Sequence, residues 1–259
     1  MRVAALYDIH GNLPALEAVL DDVAGANVDR IIVGGDVVPG PMPRETLELL
    51  LGLDTPVQFI HGNGELTVLA QIAAKHSGRV TYWGTASGQP LPEPLQEVAR
   101  WSGRQLDASH EQLMRHWPRA IELVVPDLGR VLFCHGTPRS EVEVFTRSTR
   151  EDLLLSVFAG LGETLVVCGH THMQFDRVVG PTRVVNAGSV GMPFGETGAY
   201  WLLLGDGVHL RRTSYDLPAA ADRVCATQYP QAKEFAARNI LQPPSEEEML
   251  AALTGGSFR

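Results

Sequence analysis

The sequence predicts an α/β protein, and three observations carry that reading. In the first half, short apolar runs of strand length alternate with segments whose apolar residues repeat at helical spacing. In the second half, β-rich runs are separated mainly by Gly and Pro turns. Hydrophobic residues make up 44% of the 259 positions, enough for the core of one large domain or two small ones.

The elements follow in order. Val3–Tyr7 reads as a buried strand. Asn12 caps a helix with Pro14 in its first turn, and Leu16, Val19, Leu20 and Val23 recur on one helical face. Arg30–Gly35 reads as a second strand, Pro43–Leu51 as a second helix and Val57–His61 as a third strand. Strand–helix–strand repetition implies a parallel sheet with helices on its faces. Glu65–Lys75 is expected to be helical. Residues 76–118 carry Gly, Pro, Ser and three histidines (His76, His110, His116) with no strand pattern, and read as an inserted helical or loop cap. Strands return at Ile121–Val125, Val131–Cys134, Thr164–Cys168, Phe175–Val179, Arg183–Val185, Tyr200–Leu204 and Val208–Ser214, expected as antiparallel meanders. Beyond Tyr215 the chain turns Ala- and Glu-rich, and Ser245 is placed to cap a last helix. The expected division is a core over 1–215, interrupted by the 76–118 insert, with a helical appendage over 216–259.

Composition excludes several function classes. Thirty Asp and Glu against 21 Lys and Arg give a formal charge of −9, which opposes non-specific duplex DNA and anionic membranes. Three cysteines without a Cys-x-x-Cys exclude a disulfide framework and a cysteine zinc finger. No secretory segment and no bilayer-length apolar run is present, so a cytoplasmic chain with reduced thiols is expected.

The chemistry gathers at strand ends. Asp8 and His10 follow the first strand, Asp36 the second and Asn63 the third; His135 follows Val131–Cys134, and His170 and His172 follow Thr164–Cys168. Ligands in open α/β sheets bind at the carboxyl ends of strands. Five segments therefore aim seven oxygen or imidazole donors at one edge, most of them beside a glycine that permits a tight turn.

The order of these blocks resembles a known family. Asp8-Ile9-His10 with Gly11-Asn12, Gly34-Gly35-Asp36, Gly62-Asn63, His135-Gly136 and Gly169-His170-Thr171-His172 look like the five signature blocks of the calcineurin-like metallophosphoesterases. Asn186 to Gly191, Asn-Ala-Gly-Ser-Val-Gly, looks like the turn that follows in the small bacterial and archaeal phosphodiesterase branch. The resemblance implies a four-layer αββα sandwich with two metals at one edge. By it, Asp8, His10 and His172 would hold the first metal, Asn63, His135 and His170 the second, and Asp36 would bridge them. It also places Asn12, Asn63 and His135 at the reacting phosphate, although capping a helix already explains Asn12. Four imidazoles, two carboxylates and an amide oxygen suit Mn²⁺, Fe or Zn²⁺, with Mn²⁺ favoured. A hydroxide between two ions would attack phosphorus in line.

One position departs from the family pattern. The usual third block is Gly-Asn-His, where the histidine protonates the leaving oxygen; here it is Gly62-Asn63-Gly64-Glu65. Gly64 removes general-acid help worth about 10²–10⁴-fold, unless His61, His76, His110 or His116 substitutes. The expectation is a binuclear phosphodiesterase acting on a small phosphodiester or nucleotide-type substrate. A phosphomonoesterase, acting on nucleotides or phosphoproteins, is the alternative in the same class; a non-catalytic interaction scaffold of the same fold is the alternative in another. The 76–118 insert is expected to cover part of the site mouth.

Overall fold

The computed structural model describes residues 1–162 and 164–254. The chain begins with β1 (Val3–Leu6), α1 (Leu13–Gly25), β2 (Arg30–Val33), α2 (Pro43–Leu51), β3 (Val57–Phe59) and α3 (Asn63–Ser77). Asn12 caps α1 by accepting from the Ala15 N–H at 3.3 Å, with Pro14 in the first turn. The insert contributes α4 (Glu93–Gln105) and α5 (Ala108–His116) and no strand. β4 (Ala120–Val125), β5 (Gly129–Cys134), α6 (Glu151–Phe158), β6 (Leu165–Cys168), β7 (Phe175–Val179) and β8 (Thr182–Asn186) follow, then β9 (Ala199–Leu204) and β10 (Val208–Thr213). The chain ends with α7 (Leu217–Cys225), α8 (Ala232–Phe235), a π-helical turn over Ala236–Leu241, and α9 (Glu246–Thr254). Ser245 caps α9 in a reciprocal box with Glu248.

Two five-stranded sheets form, in the orders β10-β9-β1-β2-β3 and β4-β5-β6-β8-β7. Side-chain alternation sorts their faces. Val3, Ala5 and Tyr7 point toward the second sheet and pack with Val131, Phe133, Val167 and Val185. Ala4 and Leu6 point the other way, onto Leu16, Val19 and Val23 of α1, with Leu47 of α2 and Val68 of α3 in the same cluster. On the far side, Val166 and Val184 pack on Leu154, Val157 and Phe158 of α6. The result is helices, sheet, sheet, helix: the αββα sandwich.

One expectation from the sequence needs correction. The second half is not a set of antiparallel meanders. β4–β5, β7–β8 and β9–β10 are antiparallel hairpins, but β5–β6 and β6–β8 are parallel. A parallel neighbour needs a crossover, and α6 supplies it between β5 and β6. The sequence reading passed over α6 because it is short and begins at Arg150 without a side-chain cap. The overlooked signal was Leu154, Val157 and Phe158 at i, i+3, i+4.

α6 offers a direct test of this layer. Leu154 is fully buried whereas Leu155 is 48% exposed. Leu154→Ala is expected to cost about 2–4 kcal/mol, and Leu155→Ala less than about 0.5 kcal/mol, in urea unfolding. Equal costs would contradict the burial of this face.

Candidate metal centre

The ligand loops are laced to one another by backbone bonds. The β1–β2 ladder continues past both strands, with the Asp8 N–H donating to Gly35 O at 3.1 Å and the His10 N–H to Asp36 O at 2.9 Å. The Gly191 N–H donates to Asp8 O at 3.0 Å, and the Gly169 N–H to His135 O at 2.8 Å. Among the described residues, six non-glycine residues have positive φ, and five of them are Asp8, His10, Asp36, His170 and His172, at φ 53°, 48°, 54°, 66° and 58°. Such backbone costs an L-residue about 1–2 kcal/mol. Its concentration at the predicted ligands marks strain held for a purpose.

The structure brings the seven predicted side chains together in two groups. In the first, the Nε2 atoms of His10 and His172 lie 3.3 Å apart, and His172 Nε2 lies 3.4 Å from Asp8 Oδ1. In the second, His135 Nε2 lies 3.1 Å from Asn63 Oδ1, and its ring is 5.0 Å from that of His170. Asp36 stands between them, with Oδ2 3.8 Å from His10 Nε2 and Oδ1 3.5 Å from His135 Nε2. Asp8 also reaches the second group, its Oδ1 3.9 Å from His135 Nε2, while its Oδ2 accepts from the His170 N–H at 2.9 Å.

The tautomers are set from behind. Nδ1 of His10, His135 and His172 donates to the carbonyls of Pro39, Gly34 and Met192 at 3.3, 2.9 and 2.8 Å. Each neutral ring therefore turns an Nε2 lone pair into the site, the orientation a metal-binding imidazole needs. Two such lone pairs 3.3 Å apart, those of His10 and His172, repel unless a cation lies between them. Asp8 Oδ1 is buried and accepts no hydrogen bond. The donor set thus fits bound cations on its own geometry.

Electrostatics point the same way. Burial works against charge on Asp8, but His172, His135 and His10 outweigh it and hold the carboxyl well below the usual range. Burial, with the charge of Asp8 adding to it, raises Asp36 to about 6. Burial also lowers His10 and His170 to about 3, helped by the neighbouring imidazoles. His135 and His172 are buried as well, yet Asp36 and Asp8 push the first above its ordinary value and Asp8 chiefly does so for the second. Without cations, the centre would draw protons onto these two rings, so metal and protons compete for the same lone pairs.

The remaining predicted residues divide. The Asn12 amide is committed: Oδ1 caps α1 and Nδ2 donates to Gly191 O at 2.9 Å, with the side chain wholly buried. It holds the loop behind His10 in place. His110 sits in the capping box of α5, while His76 and His116 are exposed on outer helices. Only His61 stays by the ligand edge, its Nδ1 buried without a hydrogen-bond partner. Arg44 turns to Gln105 O and Asp107 in the insert.

Three residues escaped the sequence reading. Glu65, fully buried, accepts the N–H groups of Val37 (2.7 Å) and Val38 (3.2 Å) on Oε1 and of Asp36 (2.9 Å) and Gly62 (2.8 Å) on Oε2. It thereby clamps the Asp36 loop to the start of α3. Burial and the Asp36 charge push it up to about 7 against those donors, but four N–H groups leave no acceptor for a carboxyl proton, so the bonds hold it as carboxylate. Tyr7 spans the two sheets and donates to Val167 O at 3.0 Å; its ring lies where a Cβ on Gly34 would sit. Ser189 Oγ donates to Asp8 O and accepts from the Met192 N–H, both at 2.8 Å. The sequence signals were an acid three residues after Gly62, a Tyr closing an aliphatic strand, and the Asn186–Gly191 turn.

Gly64 is a steric requirement as well as a missing acid. A Cβ there would lie 2.1 Å from Val38 O and 2.8 Å from Asp36 Oδ1, and its N–H donates to Asp36 Oδ1 at 2.7 Å. These contacts leave no room for a histidine side chain at position 64. Gly64→Ala is expected to displace Asp36 and lower metal occupancy measurably. Glu65→Gln, which sets an NH₂ against backbone donors, is expected to cost about 2 kcal/mol or more in urea unfolding. Wild-type stability and metal content in both variants would refute the clamp.

Comparison with known proteins agrees with this fold. The calcineurin-like phosphoesterase superfamily domain matches residues 1–205. An uncharacterised protein of Methanocaldococcus jannaschii is 23% identical over 249 residues, covering 88% of this chain and 94% of its own. A hypothetical protein of Pyrococcus horikoshii superposes with a TM-score of 0.74 at 19% identity, covering 94% of this chain and 99% of that one. A metallophosphoesterase of Sphaerobacter thermophilus gives 0.65 at 24% identity, covering 92% and 99%. With the domain match spanning most of its length, the chain belongs to the calcineurin-like phosphoesterase superfamily.

Proposed function

We propose that the chain is a two-ion phosphodiesterase. Family membership implies metal-dependent phosphoester hydrolysis. The observation that carries the finer reading is Asp36, whose two oxygens face different imidazole groups, His10 on one side and His135 on the other. Asp8, His10 and His172 would hold the first ion and Asn63, His135 and His170 the second, with Asp36 available to both. Four imidazoles, two carboxylates and an amide, without thiolate, suit Mn²⁺ first, with Fe and Zn²⁺ as the other choices. Two divalent ions supply Lewis-acid stabilisation of phosphoryl charge and a nucleophile at neutral pH.

The chain's own residues then set the substrate class. Two divalent ions bring a charge of about +4; Asp8, Asp36 and the buried Glu65 lower it to about +1. That matches the single charge of a diester better than the two of a monoester. Gly64 offers no proton to the leaving oxygen, and no side chain fits there. His61, near His135 and with its Nδ1 lacking a hydrogen-bond partner, is the candidate proton donor, although burial lowers its pKa and favours its neutral form. The formal charge of −9 argues for a small diester rather than duplex nucleic acid. Free Cys134, Cys168 and Cys225 support a reducing, cytoplasmic setting. Among the described residues no helix is long and apolar enough to cross a membrane.

The test begins with elemental analysis of Mn²⁺-reconstituted protein. About two ions per chain are expected, and Asp36→Asn should lower occupancy at both positions. No bound transition metal would sink the reading. Turnover of bis(4-nitrophenyl) phosphate is expected to exceed that of 4-nitrophenyl phosphate. Across aryl diesters of rising leaving-group pKa the rate should fall, and fall more steeply in His61→Ala if that ring donates the proton. A monoester preference would favour the phosphatase reading instead.

A further inference from the structure

A pocket of about 390 Å³ opens beside His10 and Pro39. Three separate parts of the chain build it. The insert gives Leu95 and Val98 from α4, the loop after β8 gives Met192 and Phe194, and the C-terminal segment gives Tyr229, between α7 and α8, and Phe235 of α8. None of these residues is among the predicted ligands. The wall is joined and stiff: Gln231 Nε2 donates to Pro94 O at 3.0 Å, Tyr229 meets Trp101 edge-on at 5.4 Å, and it meets Phe235 edge-on at 5.9 Å. The Phe194 ring stacks on His172, centroids 5.2 Å apart at 21°, so the wall continues into the metal centre. Arg238 and Asn239 of the π-helical turn add a polar rim. Turns of this kind recur at functional sites.

We propose that this pocket receives one ester arm of the substrate and that the arm is an aromatic ring. The proposal rests on the phosphodiesterase reading for its place in the reaction. Binding can be read without turnover. A phosphoryl group held beside His10 would project a substituent into the pocket, which is lined mainly by apolar surface. Its size is in the range of small-ligand sites. Phe194, Tyr229 and Phe235 line the wall, and aromatic surface favours an aromatic guest over an aliphatic one of equal size. The insert and the C-terminal helices thereby act together as a selectivity element, built from parts of the chain that hold no metal ligand.

The test uses the full chain loaded with Mn²⁺ and isothermal calorimetry with three phosphonates of equal charge: methyl methylphosphonate, methyl cyclohexylphosphonate and methyl phenylphosphonate. The phenyl compound is expected to bind roughly tenfold or more tighter than the methyl compound, and several-fold tighter than the cyclohexyl one. Leu95, 46% exposed, can change without disturbing the core. Leu95→Glu is expected to bring the phenyl-to-methyl ratio toward one, with Leu95→Ala intermediate and serving in its place if the first variant does not fold. Equal affinity for phenyl and methyl, or a ratio untouched by either variant, overturns the pocket. Equal affinity for phenyl and cyclohexyl overturns its aromatic preference. If the binding ratios hold while bis(4-nitrophenyl) phosphate is not hydrolysed, the pocket stands and the phosphodiesterase reading fails. If the loaded chain binds none of the three, both fail.

Discussion

Two buried carboxylates, Asp8 and Asp36, impose the condition that the rest of the site answers. Both sit at strand ends with almost no exposure, and among the described residues no Lys or Arg pairs with either. Glu65 adds a third buried carboxylate directly behind Asp36. Isolated charges of this kind cost several kcal/mol each to remove from water. The imidazoles meet the carboxylates with Nε2, but three of them already donate Nδ1–H to a backbone carbonyl. Bound cations satisfy carboxylates and lone pairs together, which protonation of one or two rings does only in part.

That condition explains why the surrounding loops are so heavily tied. Five ligand residues hold left-handed backbone that L-residues avoid. Such a geometry persists only if its neighbours over-determine it. Glu65 does this for the Asp36 loop through four N–H groups, and Ser189 and Asn12 do it for the Asp8–His10 loop. Asn186 does it for the His170 loop by donating to Gly169 O at 2.6 Å and Thr171 Oγ1 at 3.1 Å. The strain at the ligands and the bracing behind them form one device that holds the candidate donors in place.

What the sequence made legible follows from the range of the forces involved. Strand–helix alternation and the α1 cap are local, and both are found where the sequence placed them. The seven candidate donors were legible as a group because each follows a strand closely, so the order of strands brings them to one edge. The parallel β5–β6–β8 pairing was not legible, because α6 is a short helix with a weak start and its role as a crossover depends on partners far along the chain. Glu65 was missed for a similar reason. Its bonds run to backbone groups at Asp36–Val38, which no side-chain pattern advertises. Gly64 read as an absence of acid; only the 2.1 Å approach of Val38 O shows that it is also a required fit.

The two sides of the centre are finished by different means. On the Asn63 side, the start of the insert closes in: Tyr82 donates to Glu141 Oε1 at 2.7 Å, and a Cβ on Gly84 would lie 3.5 Å from Asn63 Nδ2. On the His10 side, α4 and the C-terminal helices stand back and leave a cavity. The contrast separates two tasks. The candidate metal ligands come from the loops that follow strands of the two sheets, and each loop braces the next. The walls come from helices that meet the centre only at its mouth, with exposed residues such as Leu95 facing the cavity, so they can vary without disturbing the ligands. A fold arranged this way separates the candidate metal centre at its edge from the helices that wall its mouth.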